Sequence, residues 1–142
     1  MTRMIFVNLP VNDVARATAF YQSVGFVRDP RFSGDDSASM QWSEHIVVML
    51  LHRDRFAGFA PLPVADERTA TAHLIALSLD DRAGVDSFVA AGTAAGGTAD
   101  VRPPQDHGFL YGRTIADPDG HVLEPMWMDL AAFEAMRAGE TG

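Results

Sequence analysis

The chain repeats itself. Val11-Asn12-Asp13 and Leu79-Asp80-Asp81 stand 68 residues apart, and the same spacing sets Phe20 on Phe88. Each triplet closes an alternating apolar run and opens a helical pattern. Ile5, Val7, Leu9 and Val11 precede the first, and Ile75, Leu77 and Leu79 precede the second. Val14, Ala17, Phe20, Tyr21 and Val24 then recur at helical spacing, as do Val85, Phe88, Val89 and Ala95. Asn or Asp at such a junction caps the helix, and Gly25 and Gly96-Gly97 stop the two helices. Strand patterns follow in the first half at Phe26 to Phe32, Ala38 to Trp42 and His45 to Leu51, with a turn at Ser33 to Asp36. In the second half they follow at Thr98 to Arg102 and in a terminal hairpin. Both halves read β-α-β-β-β. A unit of this size, repeated, buries its sheet face against its twin.

The expected divisions are residues 1–52 for the first module, 53–71 for a connection, 72–128 for the second module, and 129–142 for a C-terminal helix with a frayed tail from Gly139. The connection contains Gly58, Pro61, Pro63 and the polar run Asp66 to Thr69, with Arg53 to Phe59 as a short helix. Pro10 lacks an N–H, which places the first strand at a sheet edge or ends it there.

The hairpin carries the chemistry-bearing residues. Asp117-Pro118-Asp119-Gly120 is turn chemistry between two alternating runs. A four-residue loop sets Ala116 opposite His121, Arg113 opposite Glu124 and Tyr111 opposite Met126, so that a base, an acid and a phenol share one face. A buried Glu124 needs a partner, and Arg113 is the expected one.

The formal net charge of −8 argues against nucleic acid and anionic membrane as partners. Without cysteine there is neither a disulfide framework nor a thiolate site. The N-terminus runs directly into a strand pattern with no signal-peptide core, and no apolar run approaches a membrane span. The expectation is a cytoplasmic protein. Glycines Gly92, Gly96 and Gly97 lie at a helix C-terminus, the wrong end for anions.

The two β-α-β-β-β modules, the Phe20-Tyr21 pair before Gly25-Phe26, and Asp117-Pro118-Asp119-Gly120-His121 followed by Glu124 resemble the vicinal oxygen chelate superfamily. Glyoxalase I, extradiol dioxygenases and bleomycin-resistance proteins belong to it. The resemblance covers residues 4–128 and implies an α+β fold, two tandem modules whose curved sheets form a cup for a small ligand. It also implies, in the enzymes, a divalent metal held by His, Gln or Glu from the first and last strands of each module; the bleomycin-resistance members have none. Carried over by position, Glu124 takes one ligand place. Phe6, Val48 or Met49, and Leu74 take the others, with His73 one residue early and facing away from the cup.

The first expectation is therefore a binding protein for a small apolar or amphiphilic molecule, with no cofactor. Phe6, Asn8, Trp42, Met49, His107, Tyr111, Arg113 and Met126 would contact the ligand. A second reading is a glyoxalase-like or dioxygenase-like metalloenzyme holding a divalent cation on Glu124 and His73. A third is a metal-free enzyme with Glu124 as base and Tyr111 as acid. Apolar residues on the C-terminal helix (Leu130, Phe133, Met136) and the resemblance both suggest a homodimer.

Overall fold

The structure is a computed structural model that describes residues 2–141, and the side chain of Thr141 is outside what it describes. The first module runs β1 (Ile5–Val11), α1 (Val14–Ser23), β2 (Val27–Gly34), β3 (Ser37–Gln41) and β4 (Ile46–His52). The connection begins as α2 (Arg53–Phe59). The second module runs β5 (Leu74–Ser78), α3 (Arg82–Ala94), β6 (Thr98–Ala99), β7 (Gln105–Asp106), β8 (Leu110–Gly112), β9 (Ile115–Ala116) and β10 (Val122–Met128), and α4 (Leu130–Thr141) follows. These elements make an α+β fold of two β-α-β-β-β modules whose curled sheets form a half-barrel.

The repeat expected from the sequence is physical. Asp13 caps α1 by accepting from the Arg16 N–H at 3.0 Å, and Asp81 caps α3 by accepting from the Gly84 N–H at 2.6 Å. In both modules the first strand lies parallel to the last. Asn8 pairs with Met49 as Ala76 pairs with Glu124. The first sheet is ordered β1-β4-β3-β2. The second follows the same plan with two strands interrupted: β5, β10, then β8 and β9, then β6 and β7. The frayed tail expected from Gly139 is instead the last turn of α4 as far as Thr141; Gly142 lies outside the described residues.

One core serves both modules. Leu9, Phe20, Tyr21, Met40 and Leu50 meet Leu77, Phe88, Ile115 and Leu123, all buried. The helices approach closely because α3 and its exit carry glycine. A methyl at Gly92 would sit 2.6 Å from Ile115 Cδ1, and one at Gly97 would sit 2.7 Å from Phe20 Cε2 and 2.9 Å from the Ala116 carbonyl oxygen. The glycines are there for contact between modules.

The turn after β9 closes the seam. Asp117 accepts from Tyr21 Oη at 2.8 Å and from the backbone N–H groups of Asp119 and His121, both at 2.9 Å. Asp119 accepts from the Asn12 N–H at 2.8 Å, and His121 Nε2 lies 2.7 Å from the Pro10 carbonyl. A carbonyl oxygen only accepts, so Nε2 carries the hydrogen. Burial pushes the Asp117 carboxyl above its ordinary pKa, and burial and then Asp117 push the Tyr21 phenol well up.

Gly97→Ala tests this account of the shared core. The added methyl meets backbone as well as side chains, so we expect a loss of about 1–3 kcal/mol in urea unfolding. Gly58→Ala, with nothing within 4 Å, is expected to hold or slightly raise stability. Equal effects at the two positions would mean that the helices have room.

Candidate functional site

The concave face of the first module is built by alternation. Phe6, Asn8, Val47 and Met49 project from β1 and β4 to one side, together with Ser39 and Gln41 of β3. The opposite side, with Leu9, Val48 and Leu50, is core. Pairing between β2 and β3 loses register from Asp29 to Gly34, and this bulge places Arg31 and Phe32 at the same hollow. Arg31 clamps Asp29 with two bonds, Nε to Oδ1 at 3.0 Å and Nη2 to Oδ2 at 2.8 Å. The hollow holds about 740 Å³. Among the expected contacts, Phe6, Asn8 and Met49 line it. Asn8 is exposed there.

Trp42 does not line the hollow. It stands one residue beyond β3 and packs between Phe26 and Phe88, with ring centroids 5.0 and 6.1 Å away. There it joins the two modules.

The second hairpin differs from expectation by one residue. Its loop has three residues, Pro118 to Gly120, because Asp117 pairs with His121 through an N–H to O contact of 2.8 Å. Ala116 therefore faces Val122, Gly112 faces Met126 and Tyr111 faces Trp127. The Arg113 N–H donates to the Pro125 carbonyl, which leaves Thr114 across from Glu124. A shift of one residue exchanges the two faces of a strand. Tyr111 and Arg113 consequently point towards α3. Tyr111 Oη donates to Asp86 at 2.6 Å, and the Arg82 guanidinium stacks over its ring at 4.5 Å. Arg113 binds Asp86 at 3.0 Å and Asp100 through two bonds of 3.1 and 2.8 Å. The hydrogen bond to Asp86 raises the phenol's pKa, and its proton is already committed. Glu124 and Tyr111 lie on opposite faces of the sheet, so they cannot serve one substrate as base and acid.

Glu124 stays on the concave side with Met126, beside the exposed Leu74, Ala76 and Ser78 of β5. Its partner is Arg102, 3.4 Å from Oε2, while the buried Oε1 has no hydrogen-bond partner. The sequence reading missed Arg102. It arrives through a bulge between β6 and β7, where Asp100 takes φ +53° and Thr114 pins the Arg102 backbone by two hydrogen bonds of 3.0 and 3.2 Å. Arg102-Pro103-Pro104 was the available signal, since two prolines cannot continue a ladder.

The two histidines fall elsewhere. His107 is exposed in the turn between β7 and β8, beside Phe109. His73 precedes β5, stacks on His121 at 5.8 Å, and lies on the opposite side of the strand from Ala76, the partner of Glu124. The four positions to which the resemblance carries metal ligands thus hold Phe6, Met49, Leu74 and Glu124, with Val48 turned into the core. One carboxylate, already beside a guanidinium, does not fit a divalent metal, which needs about three protein donors. Among the described residues no three His, Asp or Glu side chains gather to hold one.

The profile of the Glyoxalase/Bleomycin resistance protein/Dioxygenase superfamily matches residues 3–124, and the chain belongs to that superfamily. Solved structures agree on the fold. A hypothetical protein, SA1046, from S. aureus is 25% identical, with 89% of this chain and 95% of that one covered and a TM-score of 0.75. A glyoxalase/bleomycin resistance protein/dioxygenase family enzyme from Burkholderia phytofirmans PsJN is 19% identical, with coverage of 89% and 99% and a TM-score of 0.72. A glyoxalase-related enzyme from Fulvimarina pelagi is 18% identical, with coverage of 89% and 88% and a TM-score of 0.73. No curated protein matches the chain significantly. Among the described residues no helix is long and apolar enough to cross a membrane.

The register has an energetic consequence. Arg113→Met and Glu124→Gln should be additive within about 0.5 kcal/mol, because they act on opposite faces without a shared partner. Arg113→Met and Asp100→Asn should couple by about 0.5–1 kcal/mol, the range for a partly exposed ion pair. Double-mutant cycles by urea unfolding measure both. Strong Arg113–Glu124 coupling would restore the four-residue loop.

Proposed function

We propose that this protein binds a small apolar or amphiphilic molecule in the concave hollow of its first module and sequesters it without a metal. The observation that carries the reading is exposed apolar surface inside a concavity. Phe6 is 55% and Phe32 63% exposed, yet both line the same hollow. Apolar surface of this kind is costly to leave in water and favours an occupant. Asn8, Ser39 and Gln41 supply a few polar groups among apolar walls, the usual composition of a small-molecule site. Glu124 and Arg102 face the concave side of the second sheet and offer a polar end to an amphiphile.

The test uses 8-anilinonaphthalene-1-sulfonate, an amphiphile whose fluorescence reports apolar surroundings. We expect saturable binding, one probe per chain, weakened at least about tenfold by Phe6→Asp, the loss of roughly one buried apolar contact. Zinc or manganese should leave the melting temperature unchanged, since a ligand that binds only the native state must raise it. One equivalent of tightly held metal, lost on Glu124→Gln, would move the metalloenzyme reading to first place.

A homodimer is part of this proposal. Strands β1 and β5 are each paired on one side only, and Ile5, Phe6 and Leu74 on them are half-exposed. On α4, Phe133 packs against Phe109 at 5.5 Å, while Leu130 and Met136 remain exposed. A second copy would cover the open edges and the concave faces beside them. Light scattering at micromolar concentration should give twice the chain mass; the monomer mass would sink the idea.

A further inference from the structure

The connection between the modules builds a second chamber. Residues 53–73 leave β4 as α2 and return to β5 past β1 and the turn before β10. Arg53, the first residue of α2, ties this loop shut. Its Nη1 donates to the Ala65 carbonyl at 2.9 Å, its Nη2 to Glu67 at 2.8 Å, and its Nε to Asn12 at 3.0 Å. Pro61 and Pro63 stiffen the span between the ties. Gly120, at φ +102°, lets the far end of the loop settle on the turn, where a Cβ would meet the Glu67 carbonyl at 2.9 Å. The space beneath the loop is about 480 Å³. It shares only Asn8 with the first-module hollow.

The chamber has two unlike sides. The loop side is apolar, with Phe56, Phe59, Leu62 and Val64. Phe59 and Leu62 are 72% and 76% exposed, so no described residue covers them. The sheet side carries Asn8, His73 and His121. The side chains of Asn8 and His73 make no hydrogen bond among the described residues, and His121 Nδ1 is buried without a partner. Because His121 Nε2 spends its hydrogen on the Pro10 carbonyl, Nδ1 is left to accept. The His73 imidazole stacked on that ring is exposed and can accept from a donor that a ligand brings. The carboxylate in the lining, Glu67, is already held by Arg53. The walls thus favour no ionic ligand.

We propose that this chamber is a binding site for a neutral aromatic molecule bearing a hydroxyl or N–H donor. The ring packs under Phe56, Phe59 and Leu62, and the donor meets the exposed imidazole of His73. This site stands apart from the first-module hollow, and neither proposal requires the other.

2-Naphthol is a suitable probe, followed by isothermal titration. We expect one site per chain. Leu62→Asp should weaken it at least about tenfold, and His73→Ala roughly three- to tenfold, the loss of one net hydrogen bond. Both residues are exposed, so the fold should survive either change. Phe6→Asp, in the hollow, should leave this binding unchanged. Naphthalene, without the donor, should bind roughly three- to tenfold more weakly than 2-naphthol, and 2-naphthalenesulfonate should not bind the chamber. Binding that is lost in Phe6→Asp but kept in Leu62→Asp would place the probe in the hollow and overturn the proposal. Equal binding of the sulfonate, or no saturable binding of 2-naphthol, would overturn it as well.

Discussion

The Asp117 carboxylate is the contact on which the rest of this structure depends. It is almost withdrawn from water, and its oxygens are taken by Tyr21 from the first module and by the N–H groups of Asp119 and His121 in its own turn. A buried carboxylate is expensive unless it is hydrogen-bonded. Those three donors offset the cost, and burial still leaves the group's pKa raised. Two bonds fan out from the turn that Asp117 fixes, Asp119 to Asn12 at the head of α1 and His121 to Pro10 at the end of β1. The turn thereby fastens the end of one module to the beginning of the other. Phe20, set against Gly92 and Gly97, completes the same junction with apolar contact. Neither module could slide past its twin without exposing Asp117.

Much of this architecture was legible in the sequence because it rests on local chemistry. The matched caps at Asp13 and Asp81, the helix at Arg53 to Phe59 and the edge strand ending near Pro10 follow from propensity, spacing and a missing N–H. The hairpin register was not legible. Asp-Pro-Asp-Gly suits a three-residue loop as well as a four-residue one, and the choice turns on whether Asp117 belongs to the loop or to the ladder. Tyr21, 96 residues away in sequence, makes that choice by drawing Asp117 inward. No local pattern contains that information. One residue of register then moves Tyr111 and Arg113 from the concave face to α3. Trp42 is a different case: alternation puts it with Ala38 and Met40, on the core side of the face that carries Ser39 and Gln41, so its ring packs between the modules and not in the hollow.

The two sides of the second sheet now have separate work. Towards α3, Asp86, Asp100 and Asp106 take up Arg82, Arg113 and Tyr111. The three carboxylates are exposed and Arg82, Arg113 and Tyr111 only partly buried, so each pair adds modestly to stability. Their collective effect is orientation, since Arg82 also lies over the rings of Tyr111 and Trp127 and holds the hairpin against the start of α3. Tyr111 and Arg113, which the sequence grouped with Glu124 on one face, are thus engaged with α3 and its neighbours.

What remains on the concave side is Glu124, and its surroundings account for the bulge in the strand beside it. A carboxylate with one oxygen shut off from water gains from a cation close by. In a metal centre that cation would be the ion itself, held jointly by other donors. Here Phe6, Met49 and Leu74 occupy the positions such donors would take, and none of them can ligate. Regular pairing of β6 with β9 would carry the chain past Thr114 in step and leave Glu124 with apolar neighbours. Instead Asp100 adopts a left-handed backbone, Thr114 holds the displaced loop, and Arg102 reaches within 3.4 Å of Glu124. A left-handed aspartate is a modest cost, since Asp tolerates that region better than most residues. Leaving a half-buried carboxylate without a cation costs more. The bulge thereby sets a guanidinium beside Glu124, where Phe6, Met49 and Leu74 offer no further polar partner.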